Sequence, residues 1–140
     1  MTLRDYLNTL RGKRVAVTGI GISNRPLLKL LLDAGIDVTA CDKKDREALG
    51  PLGDELEAAG CKLRLGPDYL EGLDHDVIFR TPGLHPRFLE EARARGSVVT
   101  SEMEVFFQVC PCPILGVTGS DGKTTTTTII ARLLEAAGHT

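Results

Sequence analysis

Apolar and polar positions follow two different periods along residues 1 to 110, and the change between them predicts where strands and helices lie. Short apolar runs such as RVAVTGIG and DVIFRTPG predict buried strands, because a strand covered on both faces is apolar at successive positions. Between such runs, stretches such as RPLLKLLLDAG carry apolar residues at helical spacing. Strands that alternate with helices indicate a parallel sheet covered on both faces, the doubly wound α/β class.

The predicted elements follow one another in a regular order. They are a leading helix with Leu3, Tyr6, Leu7 and Leu10 on one face, a strand in RVAVTGIG, a helix in RPLLKLLLDAG, a strand in IDVTACD, a helix from Arg46 to Ala59, strands in CKLRLG and DVIFRTPG, a helix in PRFLEEARARG, a strand in SVVT and a helix in SEMEVFFQ. Ser101 and Glu104 have the spacing of a capping box, which predicts that the last of these helices begins there.

The stretch CPCP, residues 110 to 113, ends this pattern and predicts a linker. A new apolar run, ILGVTG, predicts a strand after it, and TTTTTIIARLLEAAG predicts a helix. The sequence therefore predicts two units, a doubly wound domain over residues 1–110 and the truncated start of a second domain over residues 111–140. A chain of 140 residues supplies one ordinary core and the beginning of another, which agrees with this division.

Charge and cysteine content narrow the classes of partner and compartment. Seventeen basic and nineteen acidic side chains leave a net charge of -2, so the whole chain does not attract nucleic acid or an anionic membrane. No apolar run is long enough to span a membrane, and MTLRDYLNTLRGKR lacks the apolar stretch of a secretory signal. We therefore expect a cytoplasmic protein without membrane insertion. Cys41, Cys61, Cys110 and Cys112 lack the paired spacing of zinc or redox sites, which predicts buried, reduced thiols.

The stretch GIGISN, residues 19 to 24, joins the first strand to its helix and is the first candidate site. Its two glycines permit a tight turn that lets N–H groups at the helix start face a diphosphate. Asn24 replaces the third glycine of the dinucleotide fingerprint, which predicts looser packing of helix on strand. Asp42 ends the second strand, where Rossmann-like folds place an acidic residue against a ribose or base. The alternative interpretation, in which Gly19, Gly21 and Asp42 only form turns, stays open.

The tripeptide TPG, residues 81 to 83, ends a later strand at the same edge of the predicted sheet. A proline and a glycine at this position are typical of a strand that simply ends. They also suit a loop that covers a bound nucleotide on one side. The sequence favours neither interpretation.

The stretch GVTGSDGKTTTTT, residues 116 to 128, predicts a phosphate-binding loop, because it follows an apolar run and precedes an amphipathic helix. Gly119 and Gly122 let successive N–H groups point at phosphate oxygens, and the helix dipole adds to the attraction. Lys123 would reach the β- and γ-phosphates of a nucleotide, and the hydroxyl of Thr124 or Thr125 would hold Mg²⁺.

The spacing of this loop departs from the general phosphate-loop pattern, which has a glycine where this chain has Val117. The remaining threonines, up to Thr128, are expected to serve as helix-start and packing residues. Their hydroxyls are able to bond the backbone in the first turns of a helix.

A leading helix, GIGISNRP, CDKK, TPG, SEMEVFF and GVTGSDGKTTTTT occur in this order along the chain. At these separations they resemble the N-terminal part of the Mur ligase family, and the resemblance covers all 140 residues. The family's phosphate loop has the form GxxGxxGKT, which accounts for the unusual spacing. SEMEVFF favours the member that adds D-glutamate over the one that adds L-alanine.

The resemblance implies an ATP-dependent ligase of bacterial peptidoglycan biosynthesis with three domains. A Rossmann-like domain would bind the UDP-sugar, a central domain would bind ATP and Mg²⁺, and a third would bind the incoming amino acid. ATP would phosphorylate the terminal carboxylate of UDP-N-acetylmuramoyl-L-alanine, and the amine of D-glutamate would attack the acyl phosphate to form an amide.

The resemblance also implies roles for individual residues. Those that would contact the UDP moiety are Gly21, Ile22, Ser23, Asp42, Lys43, Lys44, Thr81, Pro82 and Gly83. Those that would bind ATP are Gly119, Ser120, Asp121, Gly122, Lys123, Thr124 and Thr125. Among these, Lys123 and Thr124 are the expected catalytic residues, and Thr124 is the expected Mg²⁺ ligand.

The family's other Mg²⁺ ligands and its amino-acid domain would lie beyond Thr140, so we expect a fragment that binds the UDP moiety and does not ligate. The apolar side of the last helix predicts that residues 114–138 fold back on the first domain, exchange with a neighbouring chain or become disordered.

Three other classes of protein stay open. They are a nicotinamide-dependent oxidoreductase domain, which leaves Lys123 without a role, a stand-alone ATPase, which lacks a downstream acidic strand, and a regulatory UDP-sugar-binding module.

Overall fold

A five-stranded sheet forms the centre of the protein in a computed structural model that describes residues 1–139. All its strands run parallel, in the order β3-β2-β1-β4-β5. The strands are β1 (Arg14–Thr18), β2 (Asp37–Asp42), β3 (Lys62–Leu65), β4 (Val77–Arg80) and β5 (Val98–Thr100). The doubly wound parallel α/β fold predicted from the sequence is therefore confirmed.

Helices connect the strands and cover both faces of the sheet. They are α1 (Leu3–Leu10), α2 (Asn24–Asp33), α3 (Arg46–Leu49), α4 (Pro51–Ala58), a 3₁₀ helix (Pro86–Leu89), α5 (Glu90–Ala94), α6 (Glu102–Val109) and α7 (Lys123–Ala136). The single helix predicted from Arg46 to Ala59 is divided in two at Gly50, whose φ of 56° is incompatible with a continuous helix. Helix α6 begins as predicted, because the hydroxyl of Ser101 accepts a hydrogen bond from the N–H of Glu104 at 3.2 Å. Within the described residues the side chain of Glu104 does not bond the N–H of Ser101, so only half of the predicted capping box forms.

Two apolar clusters, one on each face of the sheet, form the core. In β1, Val15 and Val17 belong to the larger cluster together with Leu28 of α2. Ala16, which lies between them, belongs to the smaller cluster with Leu89. Successive strand residues point to opposite faces, so a strand buried on both faces reads as an uninterrupted apolar run.

The chain after α6 forms no strand in the part of the molecule that the structure describes. The run ILGVTG, predicted as a strand, is mostly exposed and has no neighbour in the sheet. An isolated segment cannot satisfy the N–H and C=O groups of a strand, which explains the difference from the prediction. Thr140, the last residue of the predicted second unit, lies outside the described residues. Within residues 1–139, no helix combines the length and the apolar composition needed to cross a bilayer.

Helix α7 forms as predicted but packs into neither core cluster. Its residues are exposed except for half-buried Ile130, and the exposed side chains include Ile129, Leu133 and Leu134. Of the three alternatives predicted for residues 114–138, folding back on the first domain is not observed. Exchange with a neighbouring chain and disorder both stay predictions.

The four cysteines, all free thiols, divide into two pairs. Cys41 and Cys61 are buried, and burial raises the pKa of both, that of Cys41 to about 12. The prediction of buried, reduced thiols is right for these two. It is wrong for half-buried Cys110 and exposed Cys112, because the CPCP stretch follows the end of α6 at the surface.

Candidate functional site at the carboxyl edge of the sheet

The loops that follow β1, β2 and β4 meet at the carboxyl edge of the sheet and form a cleft of about 330 Å³. The order of the strands reverses here, because β2 lies on one side of β1 and β4 lies on the other. Open parallel sheets bind ligands in the crevice at such a switch point. The cleft is lined by Gly19, Ile20, Gly21, Asp42, Lys43, Lys44, Tyr69, Thr81, Gly83 and Leu84.

Six of the nine residues predicted to contact a UDP moiety line this cleft. They are Gly21, Asp42, Lys43, Lys44, Thr81 and Gly83. Ile22 and Ser23 are exposed at the start of α2 and lie outside the lining. Pro82 lines a neighbouring cleft of about 250 Å³ together with Asn24 and Arg80.

The carboxylate of Asp42 holds two of the cleft loops together. Its Oδ2 accepts a hydrogen bond from the N–H of Ile20 at 2.7 Å, and its Oδ1 accepts one from the N–H of Lys44 at 3.0 Å. The residue is 9% exposed, so these bonds form largely away from water. Each carboxylate oxygen has a second lone pair, which leaves capacity for a donor on a ligand. These bonds give Asp42 the turn-forming role that the sequence analysis left open.

Gly19 brings the loop after β1 close to the loop after β4. Its φ is 89°, and a Cβ atom there would lie 3.2 Å from both Cβ and Cγ2 of Thr81. Its N–H donates to the carbonyl of Cys41 at 2.6 Å, which ties the same turn to β2. Only glycine combines this left-handed conformation with the space available.

Asn24, the first residue of α2, hydrogen-bonds through its side chain to the end of β1. Its Nδ2 donates to the carbonyl of Gly19 at 2.8 Å and to that of Thr18 at 3.2 Å. The side chain is 3% exposed and therefore fills the position that a glycine leaves open in the dinucleotide fingerprint. The looser packing predicted for this position is not found, because two hydrogen bonds replace the close backbone contact.

Tyr69 is a cleft residue that sequence reasoning missed. It is half-buried against the smaller core cluster and lines the cleft beside Asp42. Burial raises the pKa of its phenol, and the charge of Asp42 raises it further, so the ring is uncharged at neutral pH. The available signal was a single aromatic residue in GPDYLEG, between β3 and β4.

Lys43 and Lys44 give the cleft its positive charge. Both are exposed, and neither takes part in an ion pair within residues 1–139. Two unneutralised ammonium groups at the mouth of a cleft attract an anionic ligand.

The side chain of Lys123 folds back onto the predicted phosphate loop and bonds its backbone. The Nζ of Lys123 donates to the carbonyl of Gly119 at 2.6 Å and to that of Ser120 at 3.3 Å. Gly122 adopts the left-handed conformation, with a φ of 75°, and α7 begins at the next residue. A lysine, two glycines with positive φ and a helix N-terminus thus occupy one short segment, an arrangement that suits phosphate. None of residues 119–125 lines the cleft described above.

The threonine run divides into two groups. The hydroxyls of Thr127 and Thr128 donate to the carbonyls of Lys123 and Thr124, both at 2.8 Å. As predicted, these threonines bond the helix backbone, but they are exposed rather than packed. The hydroxyls of Thr124 and Thr125 form no hydrogen bond within the described residues, which leaves both free for a ligand. No cluster of three or more His, Cys, Asp or Glu side chains suited to a metal occurs within residues 1–139.

Comparison with known proteins identifies the class to which this fold is related. A pseudomurein peptide ligase type C from Methanothermus fervidus has a similar structure, with a TM-score of 0.56 and 26% sequence identity over 91% of this chain and 27% of that one. No family model matches the chain. The structural similarity relates the chain to Mur-type peptide ligases.

Sequence comparison finds relatives among ligases of one kind. The chain is 51% identical over 138 residues to the UDP-N-acetylmuramoylalanine--D-glutamate ligase of Clostridium botulinum (strain Okra / Type B1). It is 51% identical over 139 residues to that of Ruminiclostridium cellulolyticum and 47% identical over 142 residues to that of Clostridium novyi. These alignments cover 96% to 99% of this chain, which spans only 30% to 31% of the length of the relatives. The resemblance to the Mur ligase family is thereby confirmed, and these relatives are ligases named for D-glutamate.

Proposed function

We propose that the cleft recognises the UDP moiety of UDP-N-acetylmuramoyl-L-alanine, as part of an ATP-dependent ligase that adds D-glutamate in bacterial peptidoglycan biosynthesis. The observation that carries the proposal is the cleft at the switch point between β1 and β4, in which glycine turns, two lysines and a buried carboxylate meet. The names of the relatives support the same substrate and amino acid.

The diphosphate would lie between the start of α2 and the two lysines. The backbone turn at Gly21 accepts the first helical hydrogen bonds from Asn24 and Arg25, so the N–H groups just before them face away from the helix interior. The positive end of the helix dipole and the ammonium groups of Lys43 and Lys44 would together balance a diphosphate.

The base would lie between Asp42 and Tyr69. Uracil presents an imide N–H that a carboxylate accepts, and Asp42 keeps lone pairs beyond those used by Ile20 and Lys44. Tyr69 supplies an uncharged ring at the same cleft, suited to contact with a planar base.

The phosphate loop would hold ATP. Lys123 would exchange its bonds with Gly119 and Ser120 for phosphate oxygens, and Thr124 would contribute one ligand to Mg²⁺. Bound ATP would supply the phosphoryl group that activates the substrate carboxylate. A chain that spans 30% of its relatives' length is proposed to bind the UDP moiety without catalysing the ligation.

A nicotinamide-dependent oxidoreductase is the second candidate, and one observation weighs against it. Asn24 occupies the position of the third glycine and is bonded to the end of β1. Binding of NAD without binding of a UDP-sugar would nevertheless favour this candidate.

Calorimetric titration of the chain with UDP-N-acetylmuramoyl-L-alanine, and separately with NAD, tests the proposal. We expect saturable binding of the UDP-sugar that is weakened in Lys44→Ala. The matched control is Lys13→Ala, which removes an exposed lysine just before β1, at the opposite edge of the sheet. Equal binding by both variants, or no binding of the UDP-sugar, would contradict the proposed site.

The ATP part of the proposal has its own test. We expect titration with Mg²⁺-ATP to show weaker binding in Lys123→Ala than in Arg132→Ala, which removes an exposed cation from the same helix. In the presence of all three substrates, the chain is expected to form no amide. Amide formation above a control without protein would refute the claim that it does not catalyse.

A further inference from the structure

The chain leaves α6 through the sequence Cys-Pro-Cys, in which one proline separates two free thiols. Cys110 follows α6 as its C-cap, with its N–H donating to the carbonyl of Phe106 at 2.9 Å, and Cys112 lies in a bend at the surface. The Sγ of Cys110 lies 3.6 Å from the carbonyl oxygen of Cys112. The side chain of Cys110 is therefore directed along the chain toward Cys112.

The spacing of the two cysteines allows a disulfide. Two residues of extended chain place their Cα atoms at most about 7 Å apart, and disulfides join Cα atoms about 4.4 to 6.8 Å apart. Cys110 is extended, with φ -64° and ψ 120°, and the ring of Pro111 fixes the next φ. Little backbone freedom remains to be lost when the ring closes, which favours the intramolecular reaction over a reaction with another molecule.

The other two cysteines provide an internal contrast. Cys41 and Cys61 are buried, and burial raises the pKa of both thiols. The thiolate is the reacting form, so these two are withheld from exchange while the fold is intact. Only the Cys-Pro-Cys segment has two thiols outside the buried core, separated by a single residue.

We propose that Cys110 and Cys112 form a dithiol modification site that low-molecular-weight disulfides oxidise to an intramolecular disulfide. The thiolate of Cys112 attacks a sulfur of the small disulfide, forms a mixed disulfide and releases one small thiol. The thiolate of Cys110 then attacks the sulfur of Cys112 and releases the second small thiol. Two protein thiols are oxidised, one small disulfide is reduced to two thiols, and the chain loses two hydrogen atoms. The closed ring fixes the direction in which the chain leaves α6 toward the phosphate loop.

Oxidised glutathione under native conditions is the probe, with intact mass and peptide mapping as readouts. We expect a loss of two hydrogen atoms, a peptide that joins Cys110 to Cys112, and Cys41 and Cys61 still alkylatable after unfolding. A thiol pair that stays reduced, a stable glutathione adduct on the unsubstituted chain, or a disulfide between chains would overturn the proposal.

Variants that each lack one cysteine distinguish ring closure from the general reactivity of exposed thiols. Cys110→Ser removes the resolving thiol, so Cys112 is expected to accumulate the glutathione adduct that the unsubstituted chain resolves. Cys61→Ser leaves the pair intact and is expected to oxidise like the unsubstituted chain. An adduct of equal yield in the unsubstituted chain and in Cys110→Ser would show that no ring forms. Because Cys110 and Cys112 lie outside both core clusters, the serine substitutions there are not expected to affect folding.

Discussion

The carboxylate of Asp42 accepts a hydrogen bond from the N–H of Ile20 at 2.7 Å, and this bond joins the loop after β2 to the loop after β1. The other oxygen of Asp42 binds the N–H of Lys44, so one side chain organises two walls of the cleft. The acidic residue that is proposed to contact a ligand therefore also shapes the cleft.

Asp42→Asn tests this double role. An amide keeps the shape but turns an N–H₂ group toward one of the two backbone N–H donors, so we expect the free energy of unfolding to fall by about 1–3 kcal/mol. Binding of the UDP-sugar should weaken as well. Asp45→Asn is the control, because it removes the same charge nearby while its side-chain oxygen still caps α3 through the N–H of Ala48. Chemical denaturation measures the free energy of unfolding of both variants. An Asp42→Asn protein as stable as the control would contradict the structural role.

Gly19→Ala should destabilise the protein through its contact with Thr81. The substitution places a Cβ 3.2 Å from Thr81 and forces a non-glycine residue to φ 89°, which together are expected to lower the free energy of unfolding by about 1–3 kcal/mol. Gly21→Ala is the matched control, since a Cβ there meets no atom within 4 Å. In a double-mutant cycle, Thr81→Ala should restore the share of the free energy of unfolding that is lost through crowding. The share that is lost through the unfavourable φ should remain lost. Equal stability of the two alanine variants would show that the close approach is unimportant.

Tyr69→Leu is expected to weaken binding of the UDP-sugar, and Tyr69→Phe to leave it nearly unchanged. Stacking of a base on an aromatic ring contributes about 1–3 kcal/mol, so the loss in affinity should be about tenfold or more. Because Tyr69 also packs against the core, the unfolding midpoint of each variant is measured beside its calorimetric titration. If the leucine variant binds as tightly as the unsubstituted chain, the ring does not contact the base.

His75 should make stability fall under acidic conditions. Its Nε2 lies 3.0 Å from the hydroxyl of Thr39, and its buried Nδ1 has no hydrogen-bond partner in the part of the chain that the structure describes. Burial lowers the pKa of the imidazole from 6.5, opposed by the charge of Asp74 and reinforced by that of Arg14. The folded state therefore disfavours the protonated ring. The stabilisation is complete above pH 6.5 and is lost as the pH falls through the lower folded-state pKa.

His75→Gln should reduce this dependence, because glutamine does not titrate. The measurement compares free energies of unfolding at about pH 8 and about pH 5 for both proteins. His85→Gln, at an exposed position, is the control and should retain the dependence of the unsubstituted chain. An unchanged difference between the two pH values in His75→Gln would mean that other groups cause it.

The apolar side of α7 should cause the chain to self-associate. Leu133 is 65% exposed and Ile129 is 55% exposed, so association of two such surfaces removes apolar area from water. Sedimentation velocity is expected to show association that grows with concentration and is reduced in Leu133→Asp. Arg132→Gln, which changes a polar neighbour on the same helix, should associate like the unsubstituted chain. A monomer at every concentration would exclude exchange through residues 114–138.

Local sequence signals were sufficient for most of the fold and for part of the candidate site. The alternation of apolar runs with helical spacing predicted the parallel sheet and placed Gly21, Asp42, Thr81 and Gly83 at the ends of β1, β2 and β4. Lys43 and Lys44 were predicted from the family resemblance alone, and all six residues line one cleft. These residues lie together because the carboxyl ends of adjacent parallel strands meet at one edge of the sheet. Tyr69 escaped notice because nothing local shows that the chain after β3 returns to that edge.

The sequence by itself determined the apolar periodicity, the glycine turns and the phosphate-loop composition, since each depends on neighbours a few positions apart. Only the tertiary structure decided that Asp42 bonds Ile20, that Asn24 replaces a glycine by bonding the end of β1, and that ILGVTG remains without a strand partner. The reason is physical. Hydrogen bonds and strand pairs need a partner brought close by folding, and a residue's own neighbours in sequence do not show whether that partner arrives.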